Sequence, residues 1–319
     1  PIPGVEIELI ELRTAAIAAL SEVGISAEID RSGLLGRQIS KRCVYGLDIN
    51  EIAVELARLA VWVRTFVPGL PMSSLDHQLV WGNSLTGIAS TKEAISILAG
   101  SEDGGMFELM FEKQLTAAAK QLEDVASLKE ATAQEAAIVA KRQRDALVAA
   151  EPARVLFDAA VAVRLGYLPL PSVLDVEVIQ QSLADPSVQA QIRNLRPAHF
   201  PLVFPEVFLR NPSGFDVLLG NPPWEKAKVE EQRWWGLRLP GLYNLDAAER
   251  QKLMPKIMAD NPDLTRRYKA EVEAAADLRR ILVAGPYPGI GKGDPDLYQA
   301  FAWRNWSTLR DNGLAGIVL

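Results

Sequence analysis

The tetrapeptide Asn221-Pro222-Pro223-Trp224 carries the most specific chemistry in this sequence. Asn221 offers a side-chain carbonyl, and the peptide bonds before the two prolines offer backbone carbonyls where proline supplies no N–H. Trp224 adds a flat apolar face. Two acceptors beside a stacking surface suit an exocyclic amino group on a flat ring, such as N6 of adenine. Because both amino hydrogens would be accepted, the nitrogen lone pair would be localised and the nitrogen would be a better nucleophile.

The residues before this tetrapeptide predict how it is held. Residues 217–219 form a short apolar run between Asp216 and Gly220, which predicts a buried parallel strand. Pro222 biases Asn221 toward an extended conformation, so the tetrapeptide should form a stiff loop at the carboxyl end of that strand. Ligands of open α/β sheets bind at such strand ends.

A second strand end carries an acidic residue. Residues 43–47 predict a strand that ends at Asp48-Ile49, and a helix should follow from Glu51 to about residue 66. In nucleotide-binding folds, a carboxylate in this place accepts hydrogen bonds from ribose hydroxyls. The alternative is structural, because Asp48 or Asn50 could cap the helix.

A third predicted strand, residues 78–81, is followed by Asn83-Ser84-Leu85. The Asn83 amide can both donate and accept, which matches N1 and N6 of an adenine ring. The candidate cofactor-binding residues are therefore Asp48, Ile49, Asn83, Ser84 and Leu85.

These stretches together resemble amino-group DNA methyltransferases, which use S-adenosylmethionine. The tetrapeptide resembles their catalytic motif, residues 45–63 resemble their second conserved block, and residues 294–319 resemble the helix–glycine–strand unit after the catalytic loop. The order of blocks is similar to that of type IIG restriction–modification enzymes and BREX-type phage-defence methylases. The resemblance implies a Rossmann-like α/β methyltransferase sheet, incomplete in this chain and with a long α-helical insertion, and S-adenosylmethionine as methyl donor. It also implies methylation at N6 of an adenine flipped out of double-stranded DNA, with Asn221, Pro222, Pro223 and Trp224 as catalytic residues.

The same resemblance divides the chain into four parts. Residues 1–90 form the cofactor side of the methyltransferase core, and residues 214–319 form its catalytic side. Between them, residues 91–165 are rich in alanine, glutamate, glutamine and lysine and predict a helical hairpin insertion that protrudes from the sheet. Residues 166–213 are a proline-rich return segment.

Composition limits the other classes of protein. The chain is 49% hydrophobic and 23% charged, which is typical of a globular protein. Its net charge of −6 does not by itself indicate a DNA-binding surface. Cys43 has no disulfide partner, the two histidines His77 and His199 lie far apart, and no apolar run is long enough to span a membrane. We expect a cytoplasmic protein without a bound metal.

Two other functions fit parts of the pattern. Asn-Pro-Pro followed by an aromatic residue also occurs in enzymes that methylate glutamine in release factors. The chain could alternatively be a non-catalytic helical interaction module on a degenerate Rossmann-like sheet. The segment with Lys226, Lys228, Arg233 and Trp234-Trp235 could contact nucleic acid, or it could be a surface helix with a buried tryptophan pair.

The ends of the sequence suggest an internal piece of a longer protein, without the glycine-rich cofactor loop or a target-recognition domain. We therefore expect residues 1–319 alone not to methylate DNA, because target choice also needs base-edge contacts that an acidic chain supplies poorly. Incubation with labelled S-adenosylmethionine and mixed-sequence DNA tests this expectation. Robust transfer of label would contradict it.

Overall fold

A computed structural model of the protein describes residues 3–72, 75, 77–99, 130–171, 176–290 and 295–318, with isolated positions between 105 and 120. No helix in this described part has the length and apolar character needed to cross a membrane. The helices and strands follow one another in this order: α1 Pro3–Glu22, α2 Arg31–Cys43, β1 Gly46–Asp48, α3 Glu51–Arg64, β2 Leu79–Trp81, α4 Thr91–Leu98, α5 Ala133–Ala149, α6 Glu151–Arg164, α7 Val176–Leu183, α8 Pro186–Leu195, α9 Phe200–Val203, α10 Pro205–Phe208, β3 Phe215–Gly220, α11 Glu231–Arg238, a 3-10 turn Pro240–Asn244, α12 Ala247–Asp260, α13 Pro262–Ala284, α14 Leu297–Thr308 and β4 Leu309–Ile317.

The described strands form two separate parallel pairs. In the first pair, Gly46 of β1 lies opposite Leu79 of β2. In the second, Val217 of β3 lies opposite Leu314 of β4. The mixed α/β class is confirmed, with helices predominating. The incomplete Rossmann-like sheet that we expected is not seen as one sheet in the described residues, because β1 and β3 belong to different sheets.

Aromatic packing joins the two pairs where a shared sheet would have used hydrogen bonds. A buried cluster of Phe200, Phe204, Val207 and Phe208 comes from α9 and α10, and Tyr45, Leu47, Val80 and Phe215 pack against it. The rings of Tyr45, just before β1, and Phe215, in β3, lie 6.0 Å apart. The starts of β1 and β3 are thus fixed to one another through side chains.

Strand β3 is covered on one side only. Val217 and Leu219 are 57% and 80% exposed, whereas Phe215 and Leu218 point to the interior side. The prediction of a parallel strand is confirmed, but the prediction of a buried strand is wrong, because every residue of β3 is half-buried or exposed. Period-two alternation places Val217 and Leu219 on one face, and a register shift between Phe215 and Val217 separates Phe215 from that face.

The segment predicted to protrude contains the centre of the largest core. Residues 155–157 and 159–162 of α6 are buried, and they share a core cluster with Leu85, Ile88 and Ala300 from other parts of the chain. The prediction of helices is confirmed for the described residues, whereas the prediction that this segment protrudes is wrong for α6. The apolar run of α6 buries it almost all round, as expected of a core helix. The four domain boundaries themselves remain predictions.

Helix α2 forms in a polar stretch that contains two glycines, Gly33 and Gly36. Helix α2 begins after Asp30, whose side chain accepts a hydrogen bond from the Ser32 amide as an N-cap. Its Lys41 is buried and lies 3.0 Å from Glu130. Long-range pairing therefore stabilises a sequence whose local pattern is weakly helical.

We predict that Leu156→Ala lowers the free energy of unfolding by about 2–5 kcal/mol, because a fully buried leucine is lost and a cavity remains. Leu147→Ala is the matched control, since Leu147 lies on α5 of the same segment and is 53% exposed; it should cost less than about 0.5 kcal/mol. Urea denaturation measures both. Equal effects would show that α6 does not stabilise the core.

Candidate functional site

One cavity of about 610 Å³ lies at the carboxyl ends of β1 and β3. The turn after β2 and one face of α14 complete it. Its volume falls in the range of about 300–1,000 Å³ that is typical of small-molecule sites. The cavity is lined by eight of the nine residues that the sequence singled out: Asp48, Ile49, Asn83, Ser84, Leu85, Asn221, Pro222 and Pro223.

Asp48 and Asn50 have separate roles at the end of β1. The side chain of Asn50 accepts hydrogen bonds from the Ile52 and Ala53 amides, so Asn50 is the N-cap of α3. Asp48 is exposed, and one of its carboxylate oxygens accepts the Asn50 N–H at 2.7 Å. Its other oxygen accepts no hydrogen bond from the described residues. The Asp48 carboxylate therefore retains acceptor capacity on the cavity side.

Asn83 closes a turn with its side-chain oxygen. Its Oδ1 accepts the Leu85 N–H at 3.0 Å, while its backbone N–H donates to the Arg196 carbonyl at 2.8 Å. Within the described part of the chain, its side-chain NH₂ group makes no hydrogen bond. Asn83 can therefore donate to a ring nitrogen such as N1 of adenine, whereas the acceptor half of its amide already serves the turn.

The Asn221-Pro222-Pro223-Trp224 loop is anchored at both ends. The Val318 amide donates to the Gly220 carbonyl at 3.1 Å, and the Leu297 amide donates to the Glu225 carbonyl at 3.0 Å. Between these anchors, no hydrogen bond from the described residues reaches the Asn221 side chain or the carbonyls of Asn221 and Pro222. Anchored ends and unoccupied acceptors are what a binding loop requires, because no internal partner has to be displaced.

Trp224 does not line this cavity. It is 61% exposed, and its ring lies 6.0 Å from that of Tyr298, with 34° between their planes. It borders a neighbouring cavity of about 730 Å³ where Lys226 and Arg233 lie beside Glu225 and Asp296. The structure thus places Trp224 on the surface beside this loop, with the Tyr298 ring as its aromatic neighbour among the described residues.

A buried network supports the turn after β2. Arg304 on α14 is 1% exposed and donates to the Gly87 carbonyl at 2.8 Å and to the Tyr287 hydroxyl at 2.8 Å. The Tyr287 hydroxyl in turn donates to the Leu85 carbonyl at 2.7 Å. Burial raises the pKa of Tyr287, so its hydroxyl keeps the proton that it donates.

Glu93 balances the charge of this network. Its carboxylate lies 3.3 Å from Arg304 and 2.6 Å from Arg164. Burial acts to raise the pKa of Glu93, but the two guanidinium groups outweigh it and the pKa is lowered overall. Glu93 therefore stays ionised at neutral pH, and the buried arginines have an anionic partner.

Sequence reasoning missed the side of the cavity that α14 forms. The lining residues of α14 are Leu297, Phe301, Arg304, Asn305 and Thr308. Their spacing of three to four residues places them on one face of a helix, which was the signal in the sequence that could have identified them.

Three other groups in the sequence serve packing and pairing. Trp234 and Trp235 are 5% and 0% exposed, so they are not available for stacking on bases. His77 pairs with Glu206 at 2.7 Å, and His199 pairs with Asp158 at 3.1 Å. Within the described residues, no group of histidine, cysteine and acidic side chains could hold a metal ion.

Comparison with known protein families matches residues 42–252, more than half of the chain, to the model of the Eco57I restriction-modification methylase. The chain therefore belongs to this family of methyltransferase-type enzymes, and the resemblance to restriction–modification methylases is confirmed. No curated protein and no solved structure matches the chain. The matched range includes β1, β2, β3 and the Asn221-Pro222-Pro223-Trp224 loop, and it weighs against a release-factor methyltransferase or a non-catalytic module.

The different roles of Asp48 and Asn50 give a prediction about stability. Asn50→Ala should lower the free energy of unfolding by about 0.5–2 kcal/mol, because an N-cap is lost. Asp48→Ala should cost less, since it loses one hydrogen bond to an exposed amide. Urea denaturation of both variants tests this order. A larger loss for Asp48→Ala would show that Asp48 serves the fold of the β1–α3 turn.

Proposed function

We propose that this protein is a DNA methyltransferase that transfers a methyl group from S-adenosylmethionine to N6 of an adenine flipped out of double-stranded DNA. We place the function in a restriction–modification or phage-defence system. The main support for this proposal is that one cavity is lined both by the candidate cofactor residues after β1 and β2 and by the candidate catalytic loop after β3. Membership of the restriction-modification methylase family supports the same reaction class.

The residues of the cofactor side fit an adenosine group. Asp48 would accept hydrogen bonds from the ribose hydroxyls through its open carboxylate oxygen, and Asn83 would donate to the adenine ring. Ile49 and Leu85 would cover the faces of that ring, and Ser84 would line its edge. When bound, S-adenosylmethionine supplies a methyl group on a positively charged sulfur.

Asn221 and the Pro222 carbonyl would hold the target amino group. Accepting both N6 hydrogens localises the nitrogen lone pair, which then forms the new bond to the methyl carbon as the bond from that carbon to sulfur breaks. The surplus N6 proton leaves to solvent after the nitrogen has become positively charged, so no strong base is needed. Pro222 is buried and Asn221 is exposed, which suits a rigid loop that presents its acceptors outward.

Trp224 would stack on the flipped base. Its exposed ring follows the acceptors directly in sequence, and Tyr298 supports it from the side. Lys226 and Arg233 on the same surface would contact the phosphate backbone, although Glu225 lies 3.4 Å from Arg233 and offsets part of its charge. We infer that this surface faces the DNA.

We predict that Asn221→Ala abolishes methyl transfer while S-adenosylmethionine still binds, because only the amino-group acceptor is lost. The measurement is N6-methyladenine in mixed-sequence DNA, quantified by mass spectrometry after incubation with the naturally encoded protein. Trp224→Ala should weaken DNA binding about tenfold, since stacking contributes about 1–3 kcal/mol per base.

Asn211→Ala is the matched control for Asn221→Ala. Asn211 is also exposed and also precedes a proline, but it does not line the cavity. Normal N6-methyladenine formation by Asn221→Ala would refute the proposed role. For the cofactor, Asp48→Ala should raise the dissociation constant in calorimetry, and Asn50→Ala should leave it nearly unchanged.

A further inference from the structure

We propose that Arg304 is a positioning residue for the cofactor side of the cavity: from α14, it holds the turn that carries Asn83, Ser84 and Leu85. This inference rests on the proposed function, since it assigns that turn to S-adenosylmethionine. No sequence motif singled out Arg304, and it lies 219 residues after Leu85 in the chain.

The contacts of Arg304 converge on one short stretch of backbone. Its Nη2 lies 2.8 Å from the Gly87 carbonyl and 3.4 Å from the Leu85 carbonyl. The same nitrogen donates to the Tyr287 hydroxyl, which donates to the Leu85 carbonyl. One guanidinium thus holds the carbonyls on both sides of Thr86. It contacts the Gly87 carbonyl directly, and the Leu85 carbonyl both directly and through the Tyr287 hydroxyl.

Those carbonyls belong to the turn that orients Asn83. The Leu85 amide donates to Asn83 Oδ1 at 3.0 Å, and the Gly87 amide donates to the Asn83 backbone carbonyl at 3.3 Å. Leu85 and Gly87 each donate their amide to Asn83 and have their carbonyl held by Arg304, so a displacement of these residues would break the bonds that orient the Asn83 side chain. Gly87 packs directly against the Ala198 backbone, where only glycine fits, because an added Cβ would lie 1.8 Å from the Ala198 carbonyl oxygen.

Burial strengthens the hydrogen bonds that Arg304 and Tyr287 make to the turn. Arg304 is 1% exposed and Tyr287 is 4% exposed, so water does not replace a lost protein partner. Arg304 also lines the cavity itself, and its Nε has no hydrogen-bond partner among the described residues. The guanidinium is therefore committed to the turn through Nη2 and to Glu93 through Nη1.

Two conservative variants separate positioning from general stability. Arg304→Lys keeps the charge but loses the planar guanidinium, which contacts the turn and Tyr287 through Nη2 while Nη1 contacts Glu93. Tyr287→Phe keeps the ring but loses the donor to the Leu85 carbonyl. Arg164→Lys is the matched control, because Arg164 is also a buried arginine paired with Glu93 but has no bond to residues 85–87 among the described contacts.

The first readout is amide hydrogen exchange at Leu85 and Gly87 in the protein without ligand. Arg304→Lys and Tyr287→Phe should speed exchange about tenfold or more, because charge-assisted and buried hydrogen bonds to the turn are lost. The second readout is the dissociation constant of S-adenosylmethionine in the naturally encoded protein, which should rise about tenfold in both variants. Arg164→Lys should change neither the exchange rates nor the dissociation constant, even if its melting temperature falls as much as that of Arg304→Lys.

Faster turn exchange in Arg304→Lys and Tyr287→Phe, with weaker cofactor binding and an unaffected control, supports the proposal. Equal changes in Arg164→Lys would overturn it, since the network would then serve stability alone. Faster exchange with unchanged affinity would also overturn it. If the wild-type protein binds no S-adenosylmethionine, the proposed function fails, and the exchange data still decide whether Arg304 holds the turn. If Arg304→Lys does not fold, Tyr287→Phe decides the question.

Discussion

The buried guanidinium of Arg304 is the constraint on which the geometry of the cavity depends. A charge removed from water is costly unless an opposite charge and hydrogen bonds compensate for the lost hydration. Here the partners come from α4, from the turn after β2 and from Tyr287, which follows α13. Because α14 continues into β4, and β4 pairs with β3, satisfying this one side chain sets the distance between the β2 turn and the strand that carries Asn221.

The two halves of the cavity are held in different ways. Within the half formed by β1 and the turn after β2, local bonds dominate: the Gly82 amide donates to the Asp48 carbonyl at 2.9 Å, and the Trp81 indole donates to the Ile49 carbonyl at 2.9 Å. Between the halves, no ladder of backbone bonds links β1 to β3 in the described residues. The phenylalanine cluster and the Arg304 network replace it, so the shared cavity depends on side-chain packing and on one buried charge.

Local sequence signals predicted the features that depend on local interactions, namely strand ends, a helix start and a loop. The strand ends at Asp48 and Gly220, the helix after Asn50 and the loop of two prolines all follow from propensity and capping, and each lies where it was predicted. Two features were beyond such signals. The burial of α6 depends on contacts with residues as distant as Ala300, and the exposure of Leu219 depends on which face of β3 the helices cover. The α14 side of the cavity had a helical spacing but no chemical motif, so only the fold revealed its role.

The claim that one cavity serves both cofactor and target is tested most directly by a crystal structure of the protein with S-adenosylhomocysteine. We predict that the ligand occupies the cavity at the ends of β1 and β3, with Asp48 at the ribose hydroxyls, Asn83 at the adenine and the sulfur on the side of Asn221. A ligand bound in the separate cavity of about 550 Å³ beside Lys41 and Asp216, or one with Asp48 facing away from it, would contradict the account.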